Sequence, residues 1–135
     1  MVKKRLYHLV QGLLVLAFLM SGVSKLFSNL TQIRETYTDP LGYAPWFIYG
    51  IGVLETIAAL GLIAGFRWRR LAAGSALAIA VILIGAIVSH LAANAAAGAI
   101  LPAVYLVLVA LLLSRLIGQE SVLKLSRSPI ETTRA

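Results

Sequence analysis

Four long apolar runs dominate the chain, separated by short polar links. They cover about Leu6 to Phe27, Trp46 to Phe66, Leu71 to Ala92 and Ile100 to Ile117. At ~1.5 Å per residue each can cross ~30 Å of hydrocarbon as a helix. Pro45 lies just before the second run and Pro102 in the first turn of the fourth, where a missing N–H costs nothing. The pattern predicts an all-α membrane protein, a bundle of four transmembrane helices forming one domain over residues 1–118. The polar stretch 119–135 is expected to be a mobile tail.

The links refine this picture. The one between the second and third runs is tight, so those helices should be antiparallel neighbours. The link from Ser28 to Ala44 is longer. Leu30, Ile33 and Tyr37 recur in it at helical spacing, which predicts a short amphipathic helix on the interface, ended by a turn at Asp39-Pro40-Leu41-Gly42. Ala93 to Ala99 reads as an uncharged rim loop. Gly61 and Gly65 form a GxxxG, and Ala72, Ala73, Ala76, Ala78 and Ala80 crowd the third run. Small residues let backbones approach where lipid supplies no hydrophobic drive. Packing within the bundle is their favoured use; pairing of two copies is the other.

Composition agrees. The chain is 60% hydrophobic and 13% charged, against about 45–50% and about 25% in soluble domains. A net charge of +7 would suggest nucleic acid in a soluble protein. Here the cations flank apolar runs, so they read as topology signals and lipid-headgroup contacts, with the bilayer as partner and no nucleic acid. Lys3, Lys4, Arg5, Arg67, Arg69, Arg70, Arg115, Lys124, Arg127 and Arg134 fall on one side; only Lys25 and Arg34 fall toward the other. The positive-inside rule places both termini in the cytoplasm. The first run follows basic residues as a signal peptide would. It is too long for one, and Met20 to Lys25 is a poor cleavage site, so it is expected to stay as the first helix. There is no cysteine, which excludes disulfides, thiolate chemistry and iron–sulfur ligation.

Candidate chemistry lies in the polar residues inside the runs. Glu55 sits nine residues after Trp46, roughly 13 Å into the second helix. A charge there costs about 3 kcal/mol, so Glu55 should face the interior and either have a partner or stay protonated. Lys25 is the obvious partner; alternatively it snorkels outward. Gln11, Phe18, Gly22 and Lys25 share one face of the first helix, and Gly52, Glu55 and Ala59 one face of the second. Gly22 admits a close neighbour beside Lys25. His90 lies near the same end of the third helix. With Ser21, Ser89, Asn94 and Tyr105 these residues predict a polar pocket open to the outside. His8 reads as an interfacial residue at the other end. One haem cannot be held by His8 and His90 across ~30 Å. No metal-ligand spacing, phosphate loop or nucleophile elbow is present. The chain therefore carries no cofactor ligand set of its own, and any electron transfer would use a borrowed cofactor or a mobile one such as a quinone.

These residues resemble a known family. Gly22-x-x-Lys25-Leu26 ends the first helix, and GIGVLETIAALGLIAGFRWRRLAAGSALAIAVILIGAIVSH carries Glu55, Gly61, Gly65, Arg70, Ala72 and His90 in order. The combination looks like the DoxX family, over about Leu6 to Leu113. The resemblance implies a small four-helix protein of the bacterial inner membrane. Some members are linked to a thiosulfate:quinone oxidoreductase, others to oxidoreductase complexes that handle oxidative stress. Distant relatives act as trafficking receptors or assembly chaperones. Lys25, Glu55 and His90 are the positions it carries over.

Three roles follow as expectations. The first is a non-catalytic or quinone-interacting membrane subunit of a redox complex, with membrane or periplasmic redox proteins as partners. The second is a scaffold or assembly chaperone. The third is a small proton-coupled exporter. It is the weakest, because such exporters carry their carboxylate in the first helix whereas Glu55 is in the second. No catalytic residue is assigned, and the chain is at most an oxidoreductase subunit.

Overall fold

A computed structural model describes residues 2–127. Its long helices are α1 (Val2–Phe27), α4 (Pro45–Ala64), α5 (Arg69–Ala92) and α6 (Ile100–Ser126). All four are long and apolar enough to cross a membrane. Most large apolar side chains, Leu9, Leu16, Val81 and Val107 among them, point outward. That is the arrangement of a bundle dissolved in lipid, where the outside is as apolar as the core. α1 packs chiefly on α4, α4 on α5 and α5 on α6, with a lighter α1–α6 contact closing the ring. The core between them is built from Leu14, Leu62, Ile79, Val109 and Leu112 with small alanines.

The GxxxG glycines serve the bundle. A Cβ on Gly65 would lie 2.5 Å from that of Ala72, and one on Gly61 would strike the Ser75 hydroxyl. Both therefore face α5 of the same chain across the tight link.

Gln11 fastens α1 to the end of α4. The last carbonyls of a helix lack an intrahelical partner. Gly65, Phe66 and Arg67 cap those of Gly61, Ile63 and Ala64 through their N–H groups. The Leu62 carbonyl instead accepts from Gln11 Nε2 at 2.7 Å. At the same basic end, Arg115 of α6 lies 4.5 Å from the Tyr7 ring centroid, and Arg69 Nη2 donates to the Leu116 carbonyl at 3.0 Å.

Two expectations are corrected. First, Asp39-Pro40-Leu41 adds a helical turn to the segment, and the chain reverses only at Gly42. An α-turn, α2 (Leu30–Ile33), with a capping box from Asn29 and Gln32, runs into a wide π-type turn over Arg34–Thr38. A further helical turn follows, α3 (Asp39–Leu41). The wide turn precedes Pro40, whose ring cannot fit a regular α ladder and has no N–H to give it. Gly42, at φ 77°, ends the segment in the left-handed conformation that glycine adopts freely. Secondly, α6 does not stop at Ile117 but runs to Ser126, so residues 119–126 are helical. Glu, Gln, Leu and Lys are good helix formers, and leaving the apolar layer is no reason for a helix to end. The rest of the expected tail, residues 128–135, lies outside the described residues.

Candidate functional site

Gly22 and Gly52 set the site. A Cβ on Gly22 would lie 2.5 Å from Thr56 Oγ1 and 2.8 Å from the Gly52 carbonyl oxygen; one on Gly52 would lie 2.9 Å from Lys25 Cβ. The two helices thus cross at near backbone contact, which only glycine permits. The crossing brings the buried face of α1 (Gln11, Leu14, Phe18, Gly22, Lys25) against that of α4, which includes Gly52, Glu55 and Ala59.

Directly beside the crossing, Lys25 Nζ lies 2.8 Å from Glu55 Oε2, with side chains only 10% and 7% exposed. Lys25 also donates to Ser21 Oγ at 2.7 Å, and Ser21 donates to the same Oε2 at 3.0 Å. The Tyr37 ring covers the ammonium, its centroid 5.7 Å away. Of the two readings of Lys25, the fold adopts the inward pair. Two opposite charges sum to zero, and their hydrogen bonds compensate for lost water, as burial requires.

This group forms one wall of a partly open chamber of about 550 Å³ bordered by all four long helices. The lining is mainly apolar and aromatic, with Phe18, Phe47, Ile48 and Leu101 among the contributors. The Phe18 and Tyr105 rings meet edge-on at 5.7 Å. The link between α1 and α4 roofs it. Ile33 is fully buried, and Tyr37 and Leu41, one further step each along the same stripe, border the chamber. Tyr43 hydrogen-bonds Ser89 Oγ across the opening and stacks on Phe47 at 5.0 Å. Tyr49 of α4 donates to the carbonyl of Ser28, the first residue of this link, at 2.8 Å.

Of the residues singled out from sequence, Lys25, Glu55, His90, Ser21, Ser89 and Tyr105 all border this chamber. His90 does so without a hydrogen bond or ion pair to Glu55. Its ring packs on Gly98, where a Cβ would collide with it, and its buried Nδ1 has no partner among the described residues. Asn94 is elsewhere: it is exposed in the turn after α5, at φ 55°, a conformation asparagine tolerates better than most residues. Tyr43 and Gly98 were not foreseen. Both lie in links, where helical spacing gives no signal. Among the described residues no three His, Asp or Glu side chains gather as metal ligands do.

The sequence model of the DoxX-like family matches residues 9–112, most of the chain. The chain therefore belongs to the DoxX-like family, and it is a multi-pass membrane protein. Neither a curated protein nor a solved structure matches it.

Proposed function

We propose that this DoxX-like protein is a membrane subunit of a redox system that holds a quinone-type molecule and supplies no cofactor of its own. One observation carries the reading. A chamber of about 550 Å³, apolar and aromatic over most of its wall, carries a small neutral polar patch at Ser21, Lys25 and Glu55. Ligand sites have this composition: apolar area for affinity, a few fixed polar groups for orientation. A planar ring with polar oxygens and an apolar tail suits it, and such a molecule already resides in the bilayer. Native mass spectrometry in mild detergent tests this, together with thermal unfolding in the presence of a short-chain quinone. Saturation at a hundred times Kd should stabilise the fold by about 2.7 kcal/mol. No bound mass and no stabilisation would sink the proposal.

A second reading, a scaffold or assembly chaperone for another membrane protein, draws on α6. The helix runs on past Ile117, the expected end of its apolar run, and carries exposed Val122, Leu123 and Leu125 there. Crosslinking from this segment that captures no protein would count against it. Either role is assigned to the bacterial plasma membrane with the basic end in the cytoplasm. The chain has no cysteine, so a single Arg67→Cys variant can be probed with an impermeant thiol reagent. Labelling of intact cells at that position would reverse the orientation.

A further inference from the structure

Resting on the quinone-type reading above, we infer that the chamber distinguishes the two oxidation states of its ligand. It holds the reduced, hydroxyl-bearing form more tightly than the oxidised, carbonyl-bearing form.

The argument is a count of hydrogen-bonding capacity around Glu55. Its contacts converge on one oxygen: Lys25 Nζ at 2.8 Å and Ser21 Oγ at 3.0 Å both address Oε2. Oε1 has no hydrogen-bond partner among the described residues, although Glu55 is only 5% exposed and borders the chamber. A carboxylate beside an ammonium accepts hydrogen bonds and donates none. The neighbouring donors do not separate the two forms. Lys25 donates to Ser21 and Oε2, and its third N–H can meet a carbonyl or a hydroxyl oxygen alike. Ser89 donates to the Gly85 carbonyl at 2.8 Å, so its contact with Tyr43 uses the tyrosine's hydrogen.

The wall thus presents to a largely apolar space an anionic acceptor that no described protein group donates to. A ligand hydroxyl does so, and a bond to a charged acceptor is among the stronger ones. A ring carbonyl brings a second acceptor instead. The remaining polar groups on the chamber, the hydroxyls of Tyr37 and Tyr105 and the His90 imidazole, can each donate or accept, so they serve either form. Glu55 alone separates them. A hydrogen bond to a charged group, present for one form and absent for the other, corresponds to roughly 10- to 100-fold in affinity. Since the reduced form is favoured, the bound couple is more readily reduced than the free one. Each tenfold is about 30 mV for a two-electron couple. Binding itself moves no electron or proton.

The test uses the full chain in nanodiscs under argon. Titration calorimetry compares a short-chain benzoquinone, its hydroquinone, and the dimethyl ether of that hydroquinone, which has no hydroxyl to donate. The hydroquinone should bind roughly 10- to 100-fold more tightly than either of the others. A Glu55→Gln chain leaves Lys25 unpaired and is at risk of misfolding, so the variant is Lys25→Met with Glu55→Gln. It keeps the volume and neutrality of the pair but puts an amide, which donates as well as accepts, on the wall. The preference should then collapse to within about threefold. Equal affinities of hydroquinone and ether in the wild type overturn the inference, as does a preference that survives the double variant. Failure of all three compounds to bind the wild type overturns the quinone-type reading itself.

Discussion

Removing one member of the Lys25–Glu55 pair should cost far more than removing both. At 2.8 Å and an effective dielectric constant of ~20, the attraction is about 6 kcal/mol. Desolvating each ion costs several kcal/mol, so the net worth of the pair is small. The balance changes when one partner goes. Lys25→Met leaves a carboxylate, and Glu55→Leu an ammonium, in a site less than a tenth exposed. Each single change should destabilise by about 3–5 kcal/mol. The double variant puts two apolar side chains of similar size in the same space and should fall within about 2 kcal/mol of the wild type. The coupling is then at least ~4 kcal/mol, above the ~0.5–3 kcal/mol seen for most directly interacting residues. Unfolding in mixed micelles with rising SDS, followed by tryptophan fluorescence, measures all four corners of this cycle. Losses that simply add would refute the reasoning, because they would mean that each side chain contributes through its own packing.

Other perturbations follow from the same contacts. Gly22→Ala should destabilise by about 1–3 kcal/mol, since its Cβ meets backbone and Thr56 at 2.5–2.8 Å. Gly12→Ala, with nothing within 4 Å, should be neutral or slightly stabilising; thermal unfolding of the two variants side by side checks the contrast. Gln11→Leu should cost about 1–3 kcal/mol by orphaning the Leu62 carbonyl, read as a lower SDS midpoint. Tyr43→Phe removes the clasp to Ser89 and should speed ligand dissociation several-fold in stopped-flow measurements while leaving the melting temperature within a few degrees.

Much of the site was legible because helical spacing is a strong signal inside apolar runs. The faces Gln11–Phe18–Gly22–Lys25 and Gly52–Glu55–Ala59 are the buried faces of α1 and α4. A glutamate in hydrocarbon must find a partner, and Lys25 lay within reach. What stayed hidden belongs to the links. The roof depends on how a proline widens a turn ahead of it, and on Tyr43 reaching a serine 46 residues away. Neither leaves a local pattern. Asn94 was placed in the pocket because its depth suited it, but depth does not fix direction, and the turn after α5 turns it outward. The length of α6 was underestimated for a different reason: hydropathy reports where a membrane ends, not where a helix does.

The separation of thirty positions from Lys25 to Glu55 also has a meaning in time. A ribosome adding ~5–20 residues per second makes the lysine roughly 2–6 s before its partner exists. Throughout that interval α1 carries an uncompensated cation, whose burial would cost up to about 3 kcal/mol at mid-membrane. The position of Lys25 in the last turn of α1 lets its stem reach the headgroups in the meantime. Snorkelling and pairing are then successive states of one side chain, the first belonging to the nascent helix and the second to the finished bundle. The arrival of α4 is the event that turns the lysine inward.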